Sequence, residues 1–227
     1  MKENIVVFTG AGISAESGLE TFRADTGLWN NHSIIDVCHP IGWNNNPSNV
    51  LGFYNEIREN VRKAKPNAAH LSIAKLEEKY DVVVITQNID NLHERAGSTN
   101  VIHLHGEITK VRSDNVEKCM LYDIGYQPTN IGDNCENGFQ LRPHIVWFEE
   151  TPFYFEDAAK HFNNADKVLI IGTSLRVQPA ASLPRLAVAA KDKILIVPED
   201  TSPPSGFELL KGLASKSVPI LVDDWLL

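Results

Sequence analysis

Short apolar runs rich in β-branched residues alternate along the chain with longer stretches whose apolar residues recur at helical spacing. The short runs predict buried strands at residues 5–8, 82–86, 101–104, 145–148, 168–171 and 194–197. The longer stretches predict helices at residues 48–65, 68–80, 152–163, 180–191 and 206–213. Ser48 is a suitable N-cap for the first helix. Apolar strands alternating with amphipathic helices indicate an α/β fold, in which helices cover both faces of a parallel sheet.

Two stretches interrupt this alternation. Residues 30–66 carry a helical pattern punctuated by prolines, whereas residues 109–143 are polar and rich in glycine and asparagine. We interpret both as insertions into the sheet topology, which together form a smaller helical and loop-rich module.

Composition and charge narrow the class of protein. The chain has 227 residues, 43% hydrophobic and 22% charged, which is ordinary for a soluble globular protein. No apolar run approaches the roughly 20 residues of a transmembrane helix. The formal net charge of -8 disfavours nucleic acid and anionic membranes as partners, because basic surfaces bind these. An acidic surface favours solubility, and it also suits a positively charged partner such as a lysine-rich peptide.

Cysteine usage bears on the compartment. Cys38, Cys119 and Cys135 form no C-x-x-C pair, and their odd number cannot be fully paired in disulfides. The first residues show no secretory signal pattern. The reducing cytoplasm is therefore the predicted location.

The first predicted strand runs into a glycine-rich turn. Gly10, Gly12 and Ala15 match the G-x-G-x-x-G/A pattern of dinucleotide-binding proteins, which follows a strand and opens a helix. Glycine lets the backbone approach a pyrophosphate closely, while helix N–H groups face its charge. Taken alone, the pattern is equally consistent with an ordinary strand-to-helix turn.

Three further polar blocks follow predicted strands. They read TQNID at residues 86–90, HLHGE at residues 103–107 and GTS at residues 172–174. In an open parallel sheet, ligands bind beyond the carboxyl ends of the strands. We therefore expect these blocks and the glycine turn to line one crevice.

Together these blocks resemble the sirtuin family. GAGISAESGLETFR, TQNIDNLHERAG, HLHGE, LRPHIVWFEE and GTS occur in that family's order and spacing, nearest to its bacterial members. The resemblance implies one catalytic domain in which NAD and an acyl-lysine substrate meet in a cleft. Its Rossmann-like part is expected at residues 1–29, 67–108 and 144–227, and its small module at residues 30–66 and 109–143.

The resemblance also assigns binding residues. NAD is expected to be bound by Gly10, Ala11, Gly12, Ser14, Phe22, Arg23, Gln87, Asn88, Asp90, Gly172, Thr173, Ser174, Glu199 and Ala214. The acyl-lysine substrate is expected to contact Tyr54, Arg58, Val146, Trp147 and Phe148. Such a substrate pairs as an added strand, which tolerates many sequences. A plain core-strand role is the alternative for Val146 and Phe148.

His105 matches the family's catalytic base, with Asn88 and Asp90 as the other expected catalytic residues. A neutral imidazole can remove a proton from a ribose hydroxyl near neutral pH. Amide and carboxylate side chains can orient the reacting groups without reacting themselves. The implied products are free lysine, nicotinamide and O-acyl-ADP-ribose. His103, two residues earlier, is expected to have a structural role.

The small module departs from the family pattern, in which two cysteine pairs usually hold a structural zinc. Ser113 and Val116 stand where the first pair is expected, and Cys135 has only Gly132 and Gly138 at the spacing of a partner. A closed zinc site needs four ligands. We therefore predict no structural metal.

A second departure concerns the acyl group. Family members that remove acidic acyl groups carry Tyr-x-x-Arg, but here Ile57 occupies the arginine position after Tyr54, and Arg58 is displaced by one residue. One helical step rotates a side chain by about 100°. The chain is therefore predicted to prefer acetyl or another uncharged acyl group.

Glu20, Glu149 and Val197 also replace residues that are usual in the family. They leave two alternatives to deacylation open. One is NAD hydrolysis or ADP-ribosyl transfer, in which another nucleophile captures the cleaved cofactor. The other is a catalytically weak sensor of NAD or ADP-ribose. Deacylation by a monomer remains the leading prediction, because a sensor has no chemical need for a base at His105.

Overall fold

The computed structural model describes residues 2–21, 28–29, 32–115, 117 and 120–227. In chain order, its strands are β1 (Asn4–Thr9), β2 (Leu28–Trp29), β3 (His32–Ser33), β4 (Asp81–Thr86), β5 (Val101–His103), β6 (Gly106–Ser113), β7 (Leu121–Asp123), β8 (Leu141–Ile145), β9 (Lys167–Ile171), β10 (Asp192–Val197) and β11 (Glu208–Lys211). Its α-helices are α1 (Gly12–Ala15), α2 (Ile34–Val37), α3 (Pro40–Asn45), α4 (Pro47–Lys63), α5 (Ala68–Lys75), α6 (Leu92–Ala96), α7 (Phe155–Asn163) and α8 (Ala214–Leu226). Leu76–Glu78 and Ala180–Leu186 form 3-10 helices. None of the helices in this described part is long and apolar enough to cross a membrane.

Six strands form one parallel sheet in the order β11-β10-β9-β1-β4-β5. From the central strand β1, the chain first builds β4 and β5 on one side and later builds β9, β10 and β11 on the other. The direction of winding therefore reverses between β1 and β9, where open α/β sheets bind their ligands. This architecture confirms the predicted α/β class.

Apolar side chains cover both faces of this sheet, because successive residues of a strand point to opposite sides. On one face Val6 and Phe8 pack with Phe162 of α7 and with the 3-10 helix that contains Leu183. On the other face the strand residues pack against α5 and α8. Helices on both faces explain why the strands read as nearly continuous apolar runs.

The two insertions meet beside the sheet. Strands β6, β7 and β8 form a small antiparallel sheet in the order β7-β6-β8. Helices α2, α3 and α4 contribute Val37, Trp43 and Tyr54, respectively, to a third apolar cluster, which also contains Ile108 and Trp147. This cluster connects the helical insertion to Ile108 of β6 and to Ile145 and Trp147 at the end of β8, and Tyr126 of the loop-rich insertion packs against it.

The structure corrects several predicted elements. Residues 206–213 are not a helix but contain the edge strand β11, and α8 follows them. The predicted helix at 180–191 is a 3-10 helix that ends at Leu186 and contains Pro184. Helix α4 is capped by the side chain of Asn46, with a proline in its first turn, so Ser48 is not its N-cap. The predicted strand at 145–148 ends at Ile145.

Candidate active site

A cleft of about 1900 Å³ opens at the carboxyl ends of β1, β4 and β9. The predicted blocks meet here: Gly10 follows β1, Gln87 follows β4 and Gly172 follows β9. His105 lies two residues beyond the end of β5 and also lines the cleft. The cleft thus lies where the winding of the sheet reverses.

Two glycine turns, one after β1 and one after β9, lie side by side, because these strands are neighbours in the sheet. The Gly12 N–H donates to the Gly172 carbonyl at 2.8 Å, and the Gly10 N–H donates to the Ile171 carbonyl at 3.0 Å. A Cβ on Gly12 would lie 2.7 Å from the Cα of Gly172, and a Cβ on Gly10 would lie 2.7 Å from the Cβ of Thr173. Because such contacts are too short, both turns require glycine, and their backbones pack directly against each other. We call this pair of turns at the cleft floor the glycine cradle.

Residues 87–90 form the polar wall of the cleft. Gln87 Nε2 donates to Thr173 Oγ1 at 3.0 Å, which connects the ends of β4 and β9. Asn88 Nδ2 donates to the Gly10 carbonyl at 3.1 Å. Asp90 accepts a hydrogen bond from the Ser14 hydroxyl at 2.9 Å. Burial raises the pKa of Asp90, although the hydrogen bonds from the Leu92 N–H and Ser14 favour its ionised form.

The side chain of His105 is held in one orientation. Its Nδ1 lies 3.0 Å from the Gln87 carbonyl, which can only accept a hydrogen bond, so Nδ1 carries a proton. In the neutral ring, Nε2 is then unprotonated and has a free lone pair. Burial lowers the pKa of His105, and the hydrogen bond to Gln87 only partly offsets this effect. A neutral imidazole with a fixed tautomer is suited to act as a general base.

The structure places most of the predicted NAD-binding residues on this cleft. Those that line it are Gly10, Ala11, Gly12, Ser14, Gln87, Asn88, Asp90, Gly172, Thr173, Ser174, Glu199 and Ala214. Phe22 and Arg23 lie outside the described residues. Val197 also lines the cleft and is buried. The assignment of these residues to NAD binding stays a prediction.

An apolar arm of the cleft begins beside His105. It is lined by Val146, Trp147, Phe148, Cys38 and Ile57. The Val146 N–H donates to the His105 carbonyl at 2.9 Å, and the Phe148 N–H donates to the Cys38 carbonyl at 3.0 Å. These bonds tie the segment after β8 to two different loops, which explains why the strand does not continue past Ile145.

The structure does not bring Tyr54 and Arg58 to the cleft surface. Tyr54 is fully buried and accepts a hydrogen bond from Trp147 Nε1 at 3.1 Å. Arg58 is also buried; its Nε donates to the Ile108 carbonyl at 2.9 Å, and its Nη1 donates to Asn55 at 2.6 Å. Burial lowers the pKa of Arg58 to about 10. Both side chains therefore support the small module, and Ile57 faces the cleft instead.

Sequence reasoning missed Cys38 as a cleft residue. Its thiol shares a hydrogen bond with Tyr54, and burial raises its pKa to about 11, so it remains protonated at neutral pH. The only signal in the sequence is a lone cysteine in an apolar turn, and this is more often a simple core residue. Only the packing of α2 against α4 reveals that Cys38 reaches the cleft.

The positions of the expected zinc ligands do not fit a metal site. Ser113 is buried, and Gly132 and Gly138 both have left-handed backbone conformations with φ of 96° and 80°. Burial raises the pKa of Cys135, but hydrogen bonds from Phe139, Asn137 and Ser113 outweigh this effect and lower it. Cys119 lies outside the described residues, and within those residues no group of three or more metal-binding side chains occurs. The absence of structural zinc stays a prediction.

The parallel sheet and the glycine cradle at its switch point define a nucleotide-binding α/β protein of the Rossmann-like class. The Sir2 family model matches residues 10–179. The chain belongs to the Sir2 family, the sirtuins, which confirms the predicted relationship.

Individual relatives agree with this assignment. The chain is 50% identical over 216 residues to an NAD-dependent protein deacylase of Aggregatibacter actinomycetemcomitans, covering 93% of this chain and 100% of that protein. It is also similar to a crystal structure of a Sir2 homolog–NAD complex, with a TM-score of 0.84, 37% identity, and coverage of 98% and 89% of the two chains. A structure of Sir2Tm bound to a propionylated peptide has a TM-score of 0.79 and 28% identity, covering 99% and 94%.

Proposed function

We propose that this protein is an NAD-dependent protein-lysine deacylase, which transfers an acyl group from lysine to ADP-ribose and releases nicotinamide. The observation that carries the proposal is the orientation of His105, whose Nδ1 is occupied by Gln87. Its Nε2 is thereby kept as an acceptor at the junction of the polar wall and the apolar arm. The deacylase names of the bacterial relatives support the same activity.

In this proposal each group of residues has a role that follows from its position in the cleft. The glycine cradle admits the dinucleotide, as the Sir2 homolog–NAD complex suggests. NAD supplies an activated ribose carbon and a leaving group. Asn88 and Asp90 orient the reacting groups from a buried wall, and His105 accepts a proton from a ribose hydroxyl. The described residues among those proposed to bind NAD line the same cleft as Val146, Trp147 and Phe148.

We propose an uncharged acyl group as the substrate. Ile57 and Cys38 present apolar surface to the arm, and Cys38 is protonated at neutral pH. Arg58, which follows Ile57 in the sequence, does not line the arm; it donates hydrogen bonds to Ile108 and Asn55 instead. The cation whose charge acts on Cys38 is Arg142, and it is already paired with Glu150. An acidic acyl group would therefore bury an unpaired carboxylate, which costs several kcal/mol by the usual order of magnitude. The propionylated peptide of Sir2Tm shows an uncharged acyl group in a related protein.

Further parts of the proposal concern organisation and location. We propose that residues 1–29, 67–108 and 144–227 form the Rossmann-like part and that the two insertions form the small module. We also propose a monomer in the cytoplasm that acts on lysine-rich segments of proteins. The net charge of -8 supports such a partner and disfavours nucleic acids and membranes.

The direct test is mass spectrometry of an acetyl-lysine peptide incubated with the purified protein, with and without NAD. The expected result is NAD-dependent loss of the acetyl group together with formation of O-acetyl-ADP-ribose. Nicotinamide release without a change in the peptide would instead indicate NAD hydrolysis or ADP-ribosyl transfer. If neither reaction occurs with acetyl, propionyl or butyryl peptides, the deacylase proposal is overturned in favour of a sensor.

A further inference from the structure

His103 lies behind the polar wall of the cleft, and the reaction described above gives it no role. Its side chain is only 5% exposed. Its Nδ1 lies 3.0 Å from the Asn88 carbonyl, and its Nε2 lies 2.7 Å from the carboxylate of Glu94 on α6. The imidazole thus bridges the candidate active site and a carboxylate whose side chain is 40% exposed.

These contacts determine the protonation state of His103. A carbonyl oxygen can only accept a hydrogen bond, and so can an ionised carboxylate. Glu94 reaches solvent and therefore stays ionised at neutral pH. Both ring nitrogens must then donate, which makes His103 a buried imidazolium paired with Glu94. Burial lowers the pKa of His103, but the hydrogen bond and charge of Glu94 outweigh burial and raise it.

His103 and His105 hold two successive carbonyl groups of the polar wall. His105 donates to the Gln87 carbonyl, and His103 donates to the Asn88 carbonyl. Asn88 is fixed at two further points, because its N–H donates to Thr86 Oγ1 at 3.0 Å and its side chain donates to Gly10. A neutral His103 ring carries only one proton, which stays on Nε2 beside the ionised Glu94. The buried Asn88 carbonyl then loses its donor, and the peptide beside Gln87 is free to rotate.

We propose that the Glu94–His103 ion pair positions Asn88 and His105 for the reaction, and that loss of the His103 proton limits activity at alkaline pH. The inference rests on the proposed deacylase function. His103 is a positioning residue here, because it acts through Asn88 and the peptide that orients His105. It is not expected to touch either substrate.

The sign of the pH effect follows from the two histidines. His105 must be neutral to accept a proton, and its lowered pKa places the acid limit of activity below the usual histidine range. His103 must be charged to keep both hydrogen bonds, and its raised pKa places the alkaline limit above that range. The pH profile of activity is therefore bell-shaped, with its maximum between the two limits. Other titratable groups that act on His103 or feel its charge are Glu107 on β6, Asp90 in the wall, His93 on α6 and His144 on β8.

The test compares kcat as a function of pH, at saturating NAD and acetyl-lysine peptide, for the unmodified protein and Glu94→Gln. Glutamine removes the charge that raises the pKa of His103, and its amide can donate to Nε2, so that a neutral ring keeps its Nδ1 proton on the Asn88 carbonyl. We therefore expect the alkaline limit to disappear, so that one pH unit above the original limit kcat is about tenfold higher than in the unmodified protein. The acid limit should stay in place. Asp157→Asn removes an exposed ion pair with Lys160 on α7 and serves as the matched control, with an unchanged profile.

Two further measurements separate positioning from folding. His103→Asn retains a donor for the Asn88 carbonyl and should retain activity while losing the alkaline limit, whereas His103→Leu should lose kcat at every pH. NMR of the histidine rings should show His103 titrating above the usual range and moving below it in Glu94→Gln. An active protein whose Glu94→Gln profile superimposes on the original overturns the positioning proposal alone. An unmodified protein that deacylates no peptide overturns the proposed function, and this inference with it.

Discussion

At the scale of single residues, two histidines separated by one leucine acquire opposite properties from their partners. His105 is bonded through Nδ1 to a carbonyl alone, so burial dominates and its pKa falls. His103 has a carboxylate as its second partner, so the hydrogen bond and charge of Glu94 dominate and its pKa rises. One ring is thereby suited to accept a proton and the other to remain charged.

The role of His105 as base can be tested by His105→Ala. We expect kcat for deacetylation to fall by roughly 10²–10⁴-fold, the usual contribution of a general base. The melting temperature should change little, because His105 contributes one side-chain hydrogen bond at a partly exposed position. His161→Ala, an exposed histidine on α7, is the matched control and should leave both quantities unchanged. Undiminished turnover in His105→Ala would contradict the assignment.

The polar side of the site was accessible to sequence reasoning, whereas its apolar side was not. Gln87, Asn88 and His105 each lie within two residues of a strand end. Because the carboxyl ends of parallel strands lie at the same edge of the sheet, these residues can be placed together without knowledge of the long-range packing. Cys38 and Ile57 reach the cleft only because α2 packs on α4. Arg58 was predicted to contact substrate, but its direction depends on a carbonyl fifty residues away in sequence, at Ile108.

At the scale of elements, tertiary pairing overrode local preference at the C-terminal end of the sheet. Residues 208–211 read Glu-Leu-Leu-Lys, all of which favour helix in isolation. They nevertheless form β11, because residues 194–197 of the adjacent strand β10 have an open edge with which residues 208–211 pair. Helix α8, which begins at Ala214 and contains Pro219, was not predicted. The sequence pattern thus predicts a helix at residues 206–213, whereas the helix of the structure begins after β11, at Ala214.

The pair of glycine turns leads to a prediction about Gly172, whose φ is 62°. In Gly172→Ala, the left-handed backbone alone costs roughly 1–2 kcal/mol, and a Cβ would also contact Gly12 at 2.8 Å. We expect a lower free energy of unfolding and a raised KM for NAD, because the cradle must open. Chemical denaturation and initial rates measure the two effects.

Gly125→Ala provides the matched control for this experiment. Gly125 has a similar φ of 56°, but a Cβ there meets no atom within 4 Å. The control should show the backbone cost with an unchanged KM for NAD. Equal losses of stability in the two variants, with KM unchanged in both, would show that the close approach of the two turns does not matter for cofactor binding.

At the scale of the whole molecule, the sheet and the small module build the cleft from different kinds of support. The polar wall follows strands that are packed on both faces, and this packing holds the wall in place. The apolar arm stands on the third cluster, where Trp147 contacts Tyr54 and the guanidinium of Arg142 lies 3.2 Å from the Trp147 ring centroid. Arg142 and Arg112 both pair with Glu150, which also accepts the Trp147 N–H. The arm thus has its own buried polar support.

This internal support bears on the predicted absence of structural zinc. Structural zinc contributes directly to folding where it is present, so its removal unfolds the module that holds it. Here Ser113 and Cys135 are joined by a hydrogen bond, and Asn55 holds the Thr129 N–H at 2.9 Å and donates to its carbonyl. We therefore expect a strong chelator to leave the melting temperature and the deacetylation rate unchanged, and elemental analysis to find less than stoichiometric zinc. A bound zinc whose removal lowers the melting temperature by several degrees would contradict the prediction and would require ligands beyond Cys135.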